Sequence, residues 1–461
     1  MDAEQVDVVV VGMGPGGEYL AGSLAQAGLS VVGVESRLVG GECPYFGCVP
    51  SKMMIRAANL LAEGRRIPGM AGSAQVTADW APVAARIRNE ATDNWDDTAA
   101  ADRFTGQGGV LARGRGRITA PGEVTVHSLD GGAPARVFRA GRGIVLNTGT
   151  EPAVPPIDGL AGTPYWTNRE AMETGQVPGS LIAFGGGAIG SELAQIFARF
   201  GTEVTVVEAA PRLLPADEPE AGELLAKVFA ADGIAVHTGT PADRVSHDGT
   251  RFTVRADGQV ATADRLLVAT GRRSCIADLG LEVAGLDGGA RAVEVDGRMR
   301  AADGVWAIGD ITGHGAFTHM SMYQAEIARR DILGEEGPAA DYRAVPRVTF
   351  TDPEVGAVGL TEAQAREQGL AARTGITQIP ASARGWIHKA GNDGFIKVIE
   401  DARRGVLVGA TSAGPSGGEV LGALAVAVRG EVPVATLRNM PYAYPTFHRA
   451  IEDALKNLTA R

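Results

Sequence analysis

The sequence predicts an α/β fold with two similar parallel βαβ units, followed by an α+β C-terminal region. In residues 7–35, an apolar strand, a glycine-rich loop, a helical stretch and a second strand follow one another. The same order recurs in residues 181–208, where the helix has apolar residues at helical spacing. From about Asp341, strand patterns no longer alternate with helical ones. That change is typical of an antiparallel sheet with helices set apart from it.

The composition fits a protein of several domains with buried cores. The chain has 461 residues, of which 45% are apolar, and domains usually hold about 100–200 residues. The net charge of −11 disfavours nucleic acid and anionic membranes as partners, because like charges repel. No apolar stretch approaches the ~20 residues of a membrane span, and the acidic start lacks the basic region of a secretory signal. We therefore expect a cytoplasmic protein that binds neither nucleic acid nor membrane.

Both βαβ units carry a G-x-G-x-x-G loop between strand and helix. The first glycine allows a tight turn, the second admits a pyrophosphate, and the third lets helix and strand pack closely. An acidic residue ends the next strand 23 positions after the first glycine in both units, where a carboxylate favours a ribose 2′-hydroxyl over a 2′-phosphate. Either loop alone could be a structural turn, but the repeated combination predicts two Rossmann-like dinucleotide-binding domains. The residues are Gly12, Gly14, Gly17 and Glu35 in the first unit, and Gly185, Gly187, Gly190 and Glu208 in the second.

A further apolar strand follows each unit and ends in Thr-Gly. These strands end at Thr148-Gly149 and at Thr270-Gly271, and each would close the sheet of the unit before it. The C-terminal region then shows strands at 345–360, 394–400 and 406–410, and helices at 417–430 and 446–458.

Two cysteines, Cys43 and Cys48, lie close together after a loop-like segment. Pro50 suits the first turn of a helix, so Cys48 would lie near a helix N-terminus, where the dipole favours thiolate. A thiolate is what disulfide exchange requires. A buried thiol pair and half of a metal site are alternatives, although no second cysteine pair exists to complete a zinc site. We predict no metal site.

The cysteine segment, Gly40-Gly-Glu-Cys43-Pro-Tyr-Phe-Gly-Cys48-Val-Pro-Ser-Lys52, resembles the active-site signature of the flavoprotein disulfide reductases. This family includes glutathione reductase, dihydrolipoyl dehydrogenase and mercuric reductase, and the resemblance extends over essentially the whole chain. It implies a homodimer with FAD as cofactor. It also implies an FAD-binding domain at 1–150 and 273–340, an NAD(P)-binding domain at 151–272 and an interface domain at 341–461.

The resemblance also implies residue roles. Cys48 would be the thiol nearest the flavin, Cys43 the interchange thiol, and Lys52 and Glu192 an ion pair beside the flavin N5. Asp310 would bind the ribitol chain, and the helix starting near His319 would direct its positive end at the flavin. Glu208 would favour NAD(H) over NADP(H). FAD would be bound by Gly12, Gly14, Gly17, Glu35 and Asp310, and the nicotinamide dinucleotide by Gly185, Gly187, Gly190 and Glu208. The other cofactor-binding residues would be Gly41, Thr148, Gly149, Gly271, Gly309 and His319.

The C-terminal motif departs from the family pattern. Thiol-reducing members carry His-x-His-Pro-Thr followed by a Glu, and the second His acts as acid–base for the interchange thiol. Here Tyr442 and Tyr444 occupy the two His positions, Arg449 occupies the Glu position, and His448 is one place off. Because Tyr titrates near 10 and His near 6.5, Tyr444 would be a poor base. The tail at 456–461 also lacks the cysteine pair of mercuric reductases.

These observations lead to one preferred function and two alternatives. The preferred function is an enzyme that passes electrons from NADH through FAD and the Cys43–Cys48 disulfide to a small disulfide-type substrate. The first alternative is a reductase of mercuric or copper ions or of quinones. The second is a non-catalytic, redox-sensing flavoprotein. Cys275 is interpreted as a lone buried thiol, and Trp386 and His388 as part of a turn.

Overall fold

The computed structural model describes residues 3–129 and 131–459. The first two residues of the acidic start and the last two of the cysteine-free tail lie outside the described part. The strands are β1 (Glu4–Val11), β2 (Val31–Glu35), β3 (Val110–Arg113), β4 (Arg115–Ala120), β5 (Glu123–His127), β6 (Arg136–Leu146), β7 (Thr150–Pro152), β8 (Ser180–Phe184), β9 (Glu203–Val207), β10 (Ala235–His237), β11 (Ala242–His247), β12 (Phe252–Ala256), β13 (Gln259–Ala263), β14 (Arg265–Val268), β15 (Arg272–Ser274), β16 (Arg300–Ala302), β17 (Val305–Ala307), β18 (Pro346–Thr349), β19 (Glu354–Gly359), β20 (Ala372–Gln378), β21 (Phe395–Asp401) and β22 (Val406–Gly414).

The helices connect these strands. They are α1 (Pro15–Gln26), α2 (Glu42–Tyr45), α3 (Cys48–Arg66), α4 (Ala81–Arg86), α5 (Thr98–Gly106), α6 (Asn168–Glu173), α7 (Ala188–Arg199), α8 (Pro219–Ala231), α9 (Thr318–Leu333), α10 (Glu362–Glu367), α11 (Ala383–His388), α12 (Gly417–Arg429), α13 (Val434–Asn439) and α14 (Ala450–Lys456). A π-helical turn spans Ile87–Ala91, and 3₁₀ turns span Leu281–Ala284, Gly309–Thr312 and Ile379–Ala381. None of the described helices is both long and apolar enough to cross a bilayer.

The chain forms two compact units. The first consists of Met1–Pro50, Arg86–Pro152 and Arg272–Tyr342. Its sheet has the order β16-β17-β6-β1-β2-β3, with β5 and β4 continuing from β6. β1 pairs in parallel with both β2 and β6, as a central buried strand does.

The core of the first unit lies on both faces of this sheet, because successive strand residues point to opposite sides. Val8 and Val10 pack on one face with Leu20 and Leu24 of α1 and Ala328 of α9. Residues on the other face, including Val9, Val11 and Ile144, join a second cluster. α1 is thereby held against the carboxyl end of β1, which positions its N-terminus at the glycine-rich loop.

The second unit consists of Ser51–Ala85, Ala153–Gly271 and Arg343–Arg461. It contains a parallel sheet with the order β10-β9-β8-β14 and an antiparallel sheet with the order β11-β12-β13. A second antiparallel sheet has the order β18-β19-β22-β21-β20 and carries α12 and α14. The predicted fold class, two Rossmann-like regions and a C-terminal α+β region, is confirmed.

Several C-terminal elements differ from the sequence-based expectation. The single strand expected at 345–360 is two antiparallel strands, β18 and β19. The segment around Trp386 is a short helix, α11, because Ser382 caps it by accepting the Gly385 N–H. β20, α10 and α13 were not predicted. Buried and exposed residues do not alternate along β20, and α10 and α13 have six residues each with one or two of them buried, which gives a weak periodic signal.

Candidate active site

The first glycine-rich loop joins β1 to α1. Gly12 has φ +98°, and a Cβ there would collide with the backbone of Asn147. A Cβ on Gly17 would collide with the carbonyl of Gly12, so this position packs the helix tightly against the loop. Gly14 is the N-cap of α1, and no side chain caps that helix end. The backbone N–H groups there therefore fit the pyrophosphate of a dinucleotide.

Glu35, at the end of β2, shapes this loop. One carboxylate oxygen accepts the Met13 N–H at 2.8 Å, and the other accepts the Arg37 N–H at 2.7 Å. Burial raises the pKa of Glu35, although these backbone donors oppose the increase. The acidic residue that was predicted from its spacing thus lies against the turn it follows.

The second glycine-rich loop joins β8 to α7 and repeats this geometry. Gly185 has φ +99°, and a Cβ on Gly190 would collide with the Gly185 carbonyl. Gly187 is the N-cap of α7, with no side-chain cap and no atom within 4 Å of a Cβ built on it. Glu208 accepts the Gly186 N–H and the Ala210 N–H, each at 2.6 Å. The open space at Gly187 fits a second dinucleotide phosphate.

The remaining predicted glycines lie where the backbone turns. Gly149 and Gly271 have φ of +67° and +117° with open space around them, whereas Gly41, at φ +67°, lies against Gly14. The Gly309 N–H donates to Gln324 Oε1 at 2.7 Å. Beside Gly149, the Thr148 hydroxyl donates a hydrogen bond to the Cys275 carbonyl at 2.6 Å.

Asp310 belongs to a chain of polar contacts within the first unit. Its carboxylate accepts the Thr150 hydroxyl at 2.6 Å, and Arg272 Nε donates to that hydroxyl oxygen at 2.7 Å. Arg272 also lies 3.4 Å from the carboxylate of Glu42, the residue before Cys43. Sequence analysis missed Thr150, Arg272 and Glu42. The position of Thr150 and Arg272 just after the two Thr-Gly pairs was the available signal.

Cys48 is the first residue of α3, and Cys43 lies on the short helix α2. No disulfide joins the two cysteines in this structure. Cys48 Sγ lies 3.5 Å from Thr318 Oγ1, at the start of α9, a contact that sequence analysis missed. The hydrogen bond between the two thiols and the burial of Cys43 raise the pKa of Cys43. Loss of the proton from Cys43 is therefore less favourable than from an ordinary thiol, whereas Cys48 lies at a helix N-terminus, where the dipole favours a thiolate.

His319 is the second residue of α9, which has no side-chain cap at its N-terminus. Its ring stacks on Phe317 with centroids 5.2 Å apart and planes 10° apart. The His319 imidazole therefore lies at the positive end of the dipole of α9. Thr318, which contacts Cys48, is the residue before it.

Within the second unit, Lys52 Nζ lies 2.8 Å from Glu192 Oε2. The Glu192 side chain is only 7% exposed, and its other oxygen accepts the Phe350 N–H at 2.8 Å. Lys52 Nζ also lies 4.5 Å from the centroid of the Phe350 ring. Phe350, which sequence analysis did not identify, therefore contacts both members of the pair.

Tyr444 also belongs to the second unit, and its side chain is exposed, at 70%. The Arg449 guanidinium lies 5.5 Å from the centroid of its ring. Tyr442 is half-buried, and its hydroxyl donates a hydrogen bond to the Leu437 carbonyl at 3.0 Å. The His448 ring lies beside Tyr442, with ring centroids 6.1 Å apart. Tyr442 is therefore structural, and Tyr444 is available to a partner or substrate.

Among the described residues, no cluster of three His, Cys, Asp or Glu side chains has the arrangement of a metal site. Cys275 is partly buried, which raises the pKa of its thiol, and it contacts Thr148 and Gly149 through its backbone.

Comparisons with known proteins agree with this arrangement. Residues 6–329 match the family model described as pyridine nucleotide-disulphide oxidoreductase, and residues 345–455 match the dimerisation domain of that family. A dihydrolipoyl dehydrogenase from Chlorobaculum tepidum is 34% identical over 98% of this chain and 97% of its own. A mercuric reductase from Streptomyces lividans is 33% identical over 98% of this chain and 96% of its own.

Solved structures show the same similarity. The copper(II) complex of a cysteine-to-serine variant of the HOCl-induced flavoprotein disulfide reductase RclA from Escherichia coli superposes with a TM-score of 0.86. It is 27% identical and covers 98% of this chain and 99% of its own. LpdA from Mycobacterium tuberculosis gives a TM-score of 0.85 at 26% identity, covering 98% and 99%. The chain belongs to the pyridine nucleotide-disulphide oxidoreductase family, whose enzymes depend on FAD and a pyridine nucleotide.

Proposed function

We propose that this enzyme transfers electrons from NADH to a small disulfide-type substrate through Cys43 and Cys48. The observation that carries the proposal is the hydrogen-bonded thiol pair, with Cys48 at the N-terminus of α3 and Cys43 on the short helix before it. When bound, FAD would supply the two-electron relay between nicotinamide and dithiol. In the exchange itself, Cys43 gives up its proton and its sulfur attacks the substrate disulfide, which forms a mixed disulfide and leaves the first substrate sulfur as a thiol that takes up the proton. The Cys48 thiolate then attacks the Cys43 sulfur, displaces the second substrate sulfur and closes the protein disulfide.

The residues around the two glycine-rich loops support the assignment of cofactors. The loop at Gly12 and the buried Glu35 would hold the adenosine diphosphate half of FAD, and Asp310 would bind its ribitol chain. The loop at Gly187 and the carboxylate of Glu208 would hold NADH in preference to NADPH, because a fixed carboxylate repels a 2′-phosphate. The domains would be those predicted from the sequence: 1–150 with 273–340, 151–272 and 341–461.

Lys52 and Glu192 would support hydride transfer. A buried carboxylate that is bonded to both an ammonium and a backbone N–H has a fixed position, and it fixes the ammonium in turn. We further propose a homodimer, built through the dimerisation domain, in which Tyr444 of one protomer faces the cysteine pair of its partner.

Reduction of metal ions is the second candidate. Mercuric reductases are among the relatives, and the RclA structure is a copper(II) complex. Thiolates such as those of Cys43 and Cys48 are suitable ligands for soft metal ions. This activity would use the same dithiol with a different electron acceptor.

An anaerobic titration with NADH tests the proposal. In the wild type, we expect long-wavelength absorption from thiolate–flavin charge transfer to develop during the titration. The course of this absorption should differ in Cys43→Ser. Cys275→Ser is the matched control and should behave like the wild type. A panel of disulfides, Hg(II), Cu(II) and quinones then identifies the acceptor. Full activity of Cys43→Ser with every acceptor would exclude the dithiol route, and absence of steady-state turnover would favour a redox-sensing flavoprotein.

A further inference from the structure

Residues 93–95 form a left-handed turn in the first unit. Asp93, Asn94 and Trp95 have φ of 46°, 57° and 58°. Asp and Asn tolerate this conformation, whereas a bulky residue such as Trp rarely adopts it. The turn directly follows the π-helical Ile87–Ala91, a rare geometry that is frequent at functional sites. Backbone of this kind persists only where surrounding contacts maintain it.

Thr92 maintains the turn from inside. Its buried hydroxyl donates to the Ile87 carbonyl at 3.1 Å and accepts the Trp95 N–H at 3.3 Å. The Asn94 N–H donates to the Arg88 carbonyl at 2.6 Å. These bonds satisfy backbone groups that a left-handed turn would otherwise leave without partners, so the direction of the Trp95 side chain is fixed.

The Trp95 side chain contacts the cysteine loop, residues 39–48. The Trp95 indole N–H donates to the Tyr45 carbonyl at 3.3 Å. The indole also stacks on Phe46, with centroids 6.5 Å apart and planes 23° apart. Tyr45 and Phe46 lie between Cys43 and Cys48, so Trp95 holds the residues that determine the separation of the two sulfurs.

The same segment also holds the chain before Cys43. The buried carboxylate of Asp97 accepts the Val39 N–H at 2.6 Å. Arg113 donates to both oxygens of that carboxylate, at 2.6 and 2.8 Å, which fixes its orientation. Residues 92–97 therefore contact the cysteine loop on both sides of Cys43, once through Asp97 and once through Trp95.

We propose that Trp95 is a positioning residue for the cysteine pair, which keeps the two sulfurs at a separation from which a disulfide readily closes. The proposal rests on the function proposed above. Holding two reacting groups close raises their effective concentration, so the disulfide of the intact protein forms more readily than that of a protein with a mobile loop. Removal of Trp95 should therefore shift the pair towards the dithiol.

The test is the equilibrium between the holoenzyme and glutathione. In this exchange the two protein thiols give two electrons and two protons to oxidised glutathione, which becomes two glutathione thiols. The oxidised fraction of Cys43 and Cys48 is measured by alkylation and mass spectrometry across glutathione buffers, with FAD content measured in parallel. The variants are Trp95→Ala, Trp95→Phe, which keeps an aromatic ring without the N–H donor, and Trp386→Phe, a control at a 76%-exposed tryptophan.

We expect Trp95→Ala to lower the equilibrium constant for disulfide formation by about fivefold, as expected for loss of one hydrogen bond and its stack. Trp95→Phe should lie between Trp95→Ala and the wild type, and Trp386→Phe should equal the wild type. An unchanged constant in Trp95→Ala with full FAD content overturns the proposal. If Trp95→Ala loses FAD, the result for Trp95→Phe replaces it. An unchanged equilibrium constant for disulfide formation in Trp95→Phe also overturns the proposal. A wild-type pair that NADH cannot reduce would instead refute the proposed function.

Discussion

Lys52 Nζ and Glu192 Oε2 are 2.8 Å apart within the second unit, and the Phe350 N–H holds the opposite oxygen of the carboxylate. Lys52 lies one helical turn after Cys48 on α3, while Glu192 lies on α7. The pair thus joins α3, which begins at Cys48, to the helix that begins at the second glycine-rich loop.

Substitution of Glu192 tests this pair. We expect Glu192→Gln to slow flavin reduction by NADH by about 100-fold, because a displacement of roughly 1 Å at a reacting centre has effects of that size. Stopped-flow absorbance under anaerobic conditions measures the rate. Lys456→Met, which breaks the exposed pair with Glu452, is the control and should leave the rate unchanged. Equal rates for Glu192→Gln and the wild type would remove Glu192 from the mechanism.

Glu208 should determine the choice of nicotinamide. Glu208→Ala is expected to reduce the ratio of kcat/KM for NADH to that for NADPH by at least about tenfold, since a charged acceptor for the ribose hydroxyls is lost. Steady-state kinetics with both nucleotides measures this ratio. Glu35→Ala is the matched control, because Glu35 has the same backbone contacts in the other loop. It should lower FAD content and leave the nucleotide ratio as in the wild type.

The raised pKa of Cys43 predicts a pH dependence. Since a raised pKa leaves less thiolate at a given pH, alkylation of Cys43 in the reduced enzyme should be slow at neutral pH. The rate should rise about tenfold per pH unit from pH 7 to 9, above which an ordinary thiol levels off. Iodoacetamide labelling with peptide mass spectrometry gives the rate at Cys43. A plateau at or below about pH 9, as an ordinary thiol of pKa about 8.5 would give, would contradict the raised pKa.

Tyr444→His would restore an acid–base group of ordinary pKa near 6.5. Because the side chain is 70% exposed, the change should leave the free energy of unfolding nearly unaltered. We expect turnover of a disulfide substrate to rise by at least about tenfold, with a new inflection in the pH–rate profile near 6.5. Tyr444→Phe, which adds no titrating group, should show neither change. An unaltered profile in Tyr444→His would place residue 444 outside the reaction.

Arg199 should be important for stability. Its side chain is 3% exposed, and its guanidinium contacts Asp352, Asp232 and Asn59. Arg199→Ala should lower the free energy of unfolding by about 3 kcal/mol or more, because it removes one member of a buried ionic network. Arg244→Ala, at an exposed pair with Asp158, should change it by less than about 1 kcal/mol. Chemical denaturation followed by circular dichroism provides both values.

The sequence by itself determined the fold class and the chemistry-bearing motifs. Gly12, Gly185 and their acidic partners were recognisable because a tight turn at a helix N-terminus requires particular residues at fixed spacing. Cys43 and Cys48 were recognisable for the same local reason, and Lys52 follows on the same helix. Tyr444 was identifiable because it departs from an expected motif.

Only the tertiary structure decided which distant groups meet these motifs. Phe350 is hydrogen-bonded to Glu192, 158 positions away in the sequence, and Thr150 is hydrogen-bonded to Asp310, 160 positions away. Trp95 gave no signal at all, since its left-handed backbone contradicts the preference of its own side chain. Such contacts depend on how strands and helices far apart in sequence pack together, and local spacing carries no information about that packing.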